Sequence, residues 1–245
     1  MKNQNIVYKF LVLYLILTLI TFFNPVAAQT TISLQQADSL FAEQKFTEAY
    51  KLYEQILAEG KASPAMLLRM AYVDESLQRV PQALYHLNLY YQQTADREVL
   101  NKIEELAASE KLRGYEYSDE EYLRNLLYQN RQSIALGLMV ISGLVFLALV
   151  YVKFRLRQRP MGLGFLLLVA LGGLAYFVSI PLTKKQAIVM EDFVPLMSGP
   201  SAGSSLVQMI GRGHRLEVLN KQDVWYKVQW GEQVLFVKET AVERI

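Results

Sequence analysis

Residue types that do chemistry are few in this chain and widely scattered. Its two histidines, His86 and His214, sit in segments of different character, and no other ligating side chains gather beside either. His86 falls where an earlier, repeated segment has Leu52, which makes it a half-buried helix position. His214 precedes a strand and is expected to be exposed. Gly211-Arg212-Gly213 lacks the second half of a phosphate-binding loop. Glu104-Glu105 and Asp119–Glu121 place carboxylates side by side, as acid–base catalysis requires, but such runs read as solvated helix charges. The absence of cysteine removes disulfide staples and thiolate metal sites. These residues propose no catalytic, metal or cofactor chemistry, and the chain reads as a non-enzyme.

The elements that position the remaining residues are organised around two uncharged stretches, residues 132–152 and 160–183. Each is long enough for a helix to cross roughly 30 Å of hydrocarbon, and each is apolar on all sides rather than on one face. Their glycines, Gly137, Gly143, Gly164 and Gly172, permit close helix approach. Residues 153–159 between them hold Lys153, Arg155, Arg157 and Arg159 and no acid, the mark of a short cytoplasmic loop.

The first 28 residues join Lys2 and Lys9 to an apolar run and end in Val26-Ala27-Ala28, a pattern that suits a signal peptide cleaved before Gln29. Cleaved or retained as an extra helix, it leaves both flanks of the hairpin exported, which predicts a bacterial inner-membrane protein with two periplasmic domains. Net charge is +2, but its distribution matters more than its sum. Residues 29–131 carry 11 Lys/Arg against 16 Asp/Glu, whereas the short loop carries four cations alone. The basic excess is therefore a topology signal, and nucleic acid is not an expected partner.

Residues 33–92 repeat with a period of 34. Gln44–Ala49 returns as Gln78–Ala83, Ala37 as Ala71, Tyr53 as Leu87 and Ile56 as Tyr90. Small residues stand where paired helices must approach, and large apolar ones fill the space beside them. This pattern resembles the tetratricopeptide (TPR) repeat. Helix pairs are expected at 33–44 with 47–59, and at 64–78 with 81–93. Gly60 would close the second helix and Pro64 open the third. The match weakens in the second unit, where Asp74 stands at the usual aromatic position. A helix over 97–112 would cap the pair, completing an all-α TPR-like domain over 29–113. From Ser118-Asp119-Glu120-Glu121, a capping box, a juxtamembrane helix within 114–131 would run into the membrane with Tyr122 and Tyr128 at its interface. In this register Leu34, Asp38, Phe41, Arg69, Tyr72 and Glu75 line the inner face, where such solenoids take peptides or helices.

From residue 184 the pattern changes to short alternating runs broken at Gly199-Pro200, Gly211, Gly213 and Gly231-Glu232, which predicts a small closed β-barrel over 184–245. Leu196–Ser201, Leu216–Leu219, Trp225–Val228 and Leu235–Val237 resemble a bacterial SH3-like domain. Pro195, Met197 and Leu235-Phe236 depart from its usual residues. Trp225 and Tyr226 form a candidate binding surface or part of the barrel packing. Few contacts are expected to cross the Thr183–Lys185 boundary, so the barrel should be an independent module.

The order of parts, a multi-domain membrane protein with TPR-like hairpins, two transmembrane helices and an SH3-like barrel, resembles the TPR subunit of bacterial aerotolerance (Bat) operons. The resemblance rests on Ala49–Gly60, Ala187–Met190, the SGPS turn and Val242–Ile245. It implies a scaffold in the lipid bilayer, in an envelope or oxidative-stress complex with von Willebrand-type Bat proteins and a MoxR-type ATPase. Two alternatives remain: a sensor binding peptidoglycan peptides through the barrel, or a transport-linked subunit. Buried charge in the spans would favour the latter, and they hold none.

Overall fold

The computed structural model describes residues 31–155, 161–180 and 184–245. The expected signal peptide, Arg157 and Arg159 of the basic loop, and residues 181–183 lie outside that range. Two compact units divide after Lys61.

The first unit contains the helix pair α1 (Thr31–Ala42) and α2 (Phe46–Ala58). Ala37 and Ala49 are buried, as the small positions of the repeat require, beside Tyr53 and Ile56. The link between them turns on Gln44 in the left-handed region, φ 62°, with Lys45 N–H donating to the Leu40 carbonyl at 2.9 Å. Gly60, at φ +73°, ends α2 in the conformation that glycine adopts without a Cβ penalty.

The second unit opens with α3 (Pro64–Ser76), whose first turn is capped by the Ser63 hydroxyl accepting from Met66 N–H at 3.2 Å. Next come α4 (Val80–Thr94) and α5 (Arg97–Ser109), the latter capped by Asp96. The α3–α4 link turns on Gln78, φ 56°, with Arg79 N–H bonded to the Asp74 carbonyl at 2.8 Å. After α5 the same turn occurs again at Lys111, φ 55°, with Leu112 N–H bonded to the Ala107 carbonyl at 2.8 Å. The helix pairing and the period expected from sequence are thus present in the backbone. The turn at Lys111 was not anticipated. No partner helix follows it, and residues 112–118 form a non-helical segment instead.

That segment leads into α6 (Asp119–Gln129), capped as expected by the Ser118 hydroxyl at 3.2 Å from Glu121 N–H. Asn130 alone separates α6 from α7 (Arg131–Arg155), which pairs with α8 (Met161–Ser179). Both α7 and α8 are long and apolar enough to cross a membrane. At 1.5 Å per residue they extend about 37 and 28 Å. The Arg131 guanidinium donates to the Val178 carbonyl, placing a cation at the C-terminal end of α8 where the helix dipole favours it. Gly143 is buried and a Cβ on Gly164 would lie 3.9 Å from Leu149, but Gly137 and Gly172 meet nothing within 4 Å. Only two of the four glycines serve the helix contact. The pair touches along one strip, and the others sit off it.

Seven strands follow: β1 (Gln186–Val189), β2 (Val194–Met197), β3 (Leu206–Ile210), β4 (Arg215–Gln222), β5 (Trp225–Trp230), β6 (Gln233–Lys238) and β7 (Val242–Arg244). They form one antiparallel sheet in the order β3-β2-β6-β5-β4-β1-β7, which is open: β3 and β7 are its free edges. The closed barrel expected from sequence is therefore not reached by hydrogen bonding. The sheet nonetheless curls enough that Ile210 near one edge and Val242 at the other share a core with Leu216, Val228 and Val237. The opening lies between β3 and β7, which share no register pair, and β7 has only three residues to offer. One tight turn was missed by sequence reading, at Asp223, φ 55°.

Candidate functional site

The sheet is not an independent module. Ile188 of β1, fully buried, belongs to the same apolar cluster as Leu84 and Leu87 of α4 and Leu100 and Ile103 of α5. Met190 and Ile245 pack against that cluster. This corrects the expectation of a loosely joined boundary near Lys185. The topology returns β1 and β4 to the helices that precede the apolar pair α7–α8.

A polar knot holds the junction. Arg215, the first residue of β4, is 4 % exposed. Its backbone N–H donates to the Arg113 carbonyl at 3.1 Å, and its guanidinium donates to the Gly114 carbonyl, the Tyr117 hydroxyl and, at 3.3 Å, Asn88 Oδ1. The guanidinium also lies over two rings, 4.2 Å from the centre of Tyr117 and 4.9 Å from that of Tyr115. A buried cation is tolerated when its donors are satisfied and its charge is met by ring faces and carbonyl dipoles. The tyrosines complete the knot. Tyr117 donates to Asn88 Oδ1 at 2.7 Å and Tyr115 to the Gly213 carbonyl at 2.7 Å. Burial pushes both phenols above their usual range, against the pull of the Arg215 charge, so both stay protonated donors. Gly114 is required here. Its φ is +93°, and a Cβ would meet the Arg215 carbonyl oxygen at 2.1 Å.

His214 belongs to the same junction and is half-buried, against the expectation of exposure. Its Nδ1 accepts the Arg113 N–H at 3.0 Å, and its ring stands edge-on to Trp230 at 5.4 Å. Burial, then the Arg113 charge, lowers its pKa. The other histidine is deeper still. His86, 4 % exposed, places Nδ1 2.8 Å from Oδ2 of Asp74, which is fully buried. The two departures from the repeat pattern, Asp74 and His86, are thus one compensated pair.

Beside the knot lies a cleft of about 690 Å³. One wall comes from the 113–121 segment with Glu116 and Glu121, the other from the β5–β6 end of the sheet with Trp230 and Gln233. Gln186 bridges toward Glu121 at 2.9 Å, and Trp230 Nε1 donates to Gln208 at 3.1 Å. No group of three or more potential metal ligands occurs among the described residues.

The residues singled out from sequence are placed as follows. Leu34, Asp38 and Phe41 lie along α1, all half-buried, and Asp38 accepts the Tyr53 hydroxyl at 2.7 Å. Arg69, Tyr72 and Glu75 share a face of α3; Tyr72 is 57 % exposed and Glu75 pairs with Lys102 of α5 at 2.6 Å. Each trio shares one helix face. Trp225 and Tyr226 point to opposite sides of β5. Tyr226 is 6 % exposed and belongs to the sheet core, whereas Trp225 is half-buried on the other side. Tyr122 lies beneath Arg97 of α5, 5.2 Å from guanidinium carbon to ring centre.

Sequence reasoning missed Arg215, Asn88, Tyr115 and Tyr117. The available signal was Tyr115-Glu116-Tyr117, an alternating pair in a segment without helical period. Compared with known proteins, the chain matches no family model and no curated sequence.

Proposed function

We propose that the protein is a non-enzymatic inner-membrane adaptor, spanning twice and presenting TPR-type helix pairs and an SH3-like sheet to the periplasm. A Bat-type envelope or aerotolerance complex with von Willebrand-type partners is the setting that the arrangement of parts suggests. One observation carries the reading: the apolar pair α7–α8 is inserted between two segments that share a core, through Ile188 and the Arg215 knot. Segments packed together lie on one side of a bilayer, so the hairpin between them crosses it an even number of times. Lys153 and Arg155 at the end of α7 favour the cytoplasm for the hairpin's turn. The repeated left-handed turns at Gln44 and Gln78 support TPR-type pairing.

Topology and partner binding are tested separately. Single cysteines at Glu110 and Ser205, both exposed, should react with an impermeant thiol reagent in spheroplasts, and one at Gln158 only after lysis. Labelling of Ser205 only after lysis would overturn the two-span arrangement. Crosslinking and recovery from native membranes tests the adaptor role. Phe41→Ala, Tyr72→Ala and Arg69→Glu should each reduce recovery of membrane partners, by roughly thirtyfold in affinity where a buried aromatic anchor is lost. Unchanged recovery in all three would remove the helical faces as the partner site.

A further inference from the structure

We propose that the cleft between residues 113–121 and the sheet is a binding site for a neutral, hydroxyl-rich oligosaccharide. Its size suits two or three sugar rings, within the range of small-ligand sites. Its lining sets the chemistry. Four carboxylates and three cations nearly cancel, and Lys184 is already paired with Glu217 at 2.8 Å, so an anionic ligand finds no excess positive charge. Four glutamine side chains and the carboxylates of Glu116 and Glu121 supply planar donors and acceptors of the kind that bracket vicinal hydroxyls and acetamido groups. Trp230, half-exposed, is held in orientation by its bond to Gln208 and by the His214 edge, and gives the ring face on which a sugar's C–H face packs.

A peptide suits the cleft less well, for two reasons. Peptide affinity comes largely from burying apolar side chains. Among the described residues lining the cleft, Leu216 and Trp230 are the apolar ones, and Leu216 is fully buried beneath the surface. A peptide also gains affinity by pairing with a free strand edge. The cleft runs across β1, β4 and β5, each hydrogen-bonded on both sides, and reaches the free edge strand β3 at Gln208 alone, too little edge to pair a peptide strand, so it recognises its ligand through side chains. The proposal rests on the adaptor reading only for the source of the sugar, which on the periplasmic side would be a cell-envelope glycan; the site chemistry is independent of it.

The test is titration of the full chain, in detergent and on a Trp225→Phe background so that Trp230 alone reports, with the N-acetylglucosamine tetramer. Saturable binding with a change in Trp230 emission is expected, weakened about five- to tenfold by Glu116→Ala or Gln233→Ala, each removing one hydrogen-bonding group. Both residues are exposed, so these variants should keep the wild-type unfolding midpoint. Binding of tri-alanine in preference to the sugar, lack of saturation at millimolar sugar, or equal sugar affinity in both variants would overturn the proposal. Partner recovery from membranes is a separate measurement, so failure here leaves the adaptor reading standing, and the reverse holds.

Discussion

Replacing Arg215 with methionine isolates what the junction knot contributes. Methionine fills nearly the same volume without charge or donors, so packing is largely preserved. Three hydrogen bonds from a charged donor are lost, to Gly114, Tyr117 and Asn88. Each such bond is worth about 1.5–3 kcal/mol, and the contacts with the two rings add about 0.5–2 kcal/mol each. Against this stands the desolvation of a buried guanidinium, several kcal/mol, which methionine relieves. Two orphans are limited, because Asn88 Oδ1 keeps the Tyr117 hydroxyl and Tyr117 keeps its acceptor. The net expectation is a loss of about 2–3 kcal/mol. Urea unfolding of the detergent-solubilised chain reads it in two places: emission of Trp225 and Trp230 reports the sheet, and hydrogen exchange over residues 80–109 reports α4 and α5. Both should shift together. A cycle with Asn88→Ala should give a coupling of about 1 kcal/mol. If Arg215→Met left both readouts within about 0.5 kcal/mol of wild type, or moved only the tryptophans, the knot would not be what joins sheet to helices.

Three further outcomes follow from particular residues. Gly114→Ala should destabilise the junction by about 2–4 kcal/mol, through left-handed backbone strain and collision with the Arg215 carbonyl, measured by the same urea titration. His86→Leu should cost about 3–5 kcal/mol because it removes the 2.8 Å partner of the buried Asp74 carboxylate, which Arg79 reaches only at 4.0 Å, and Asp74→Leu in addition should recover much of the loss; an uncompensated double variant would contradict the pairing. Stability should fall at both pH extremes. His214 is held neutral by burial and Arg113, so its contribution is present above its unfolded pKa near 6.5 and is lost as pH drops below that; Tyr115 and Tyr117 contribute below about pH 10 and lose it as pH rises further. His214→Gln should flatten the acid limb, while on the alkaline side the tyrosinate absorbance lost in a Tyr115→Phe, Tyr117→Phe chain should be the part that appears only with unfolding.

How much of this was legible in the sequence depends on how local the cause is. The membrane-competent helices follow from composition alone, since nothing but uninterrupted apolarity over a span's length is needed. The helix pairs were readable because small residues such as Ala37, Ala49 and Ala71 recur at a fixed period, and their burial is set by the neighbouring helix of the same hairpin. The Ser118 cap and the left-handed Gly60 are decided within four residues of chain. The strands were readable from alternation, though not their incomplete closure, which depends on whether the distant edge strands β3 and β7 meet.

What the tertiary structure decided lies at long separation. Arg215 reads as an ordinary strand charge until Asn88 and Tyr117 are brought to it from 127 and 98 residues away. Asp74 and His86 look like two defects in a repeat until a helix turn places them 2.8 Å apart. The independence of the sheet was misjudged for the same reason: the residues joining it to the helices, Ile188 and Arg215, lie beyond the apolar hairpin α7–α8 from their partners. Sequence period and composition report what each segment buries. Only the fold reports against what, because the free energy of a polar or apolar contact belongs to the pair and not to either residue.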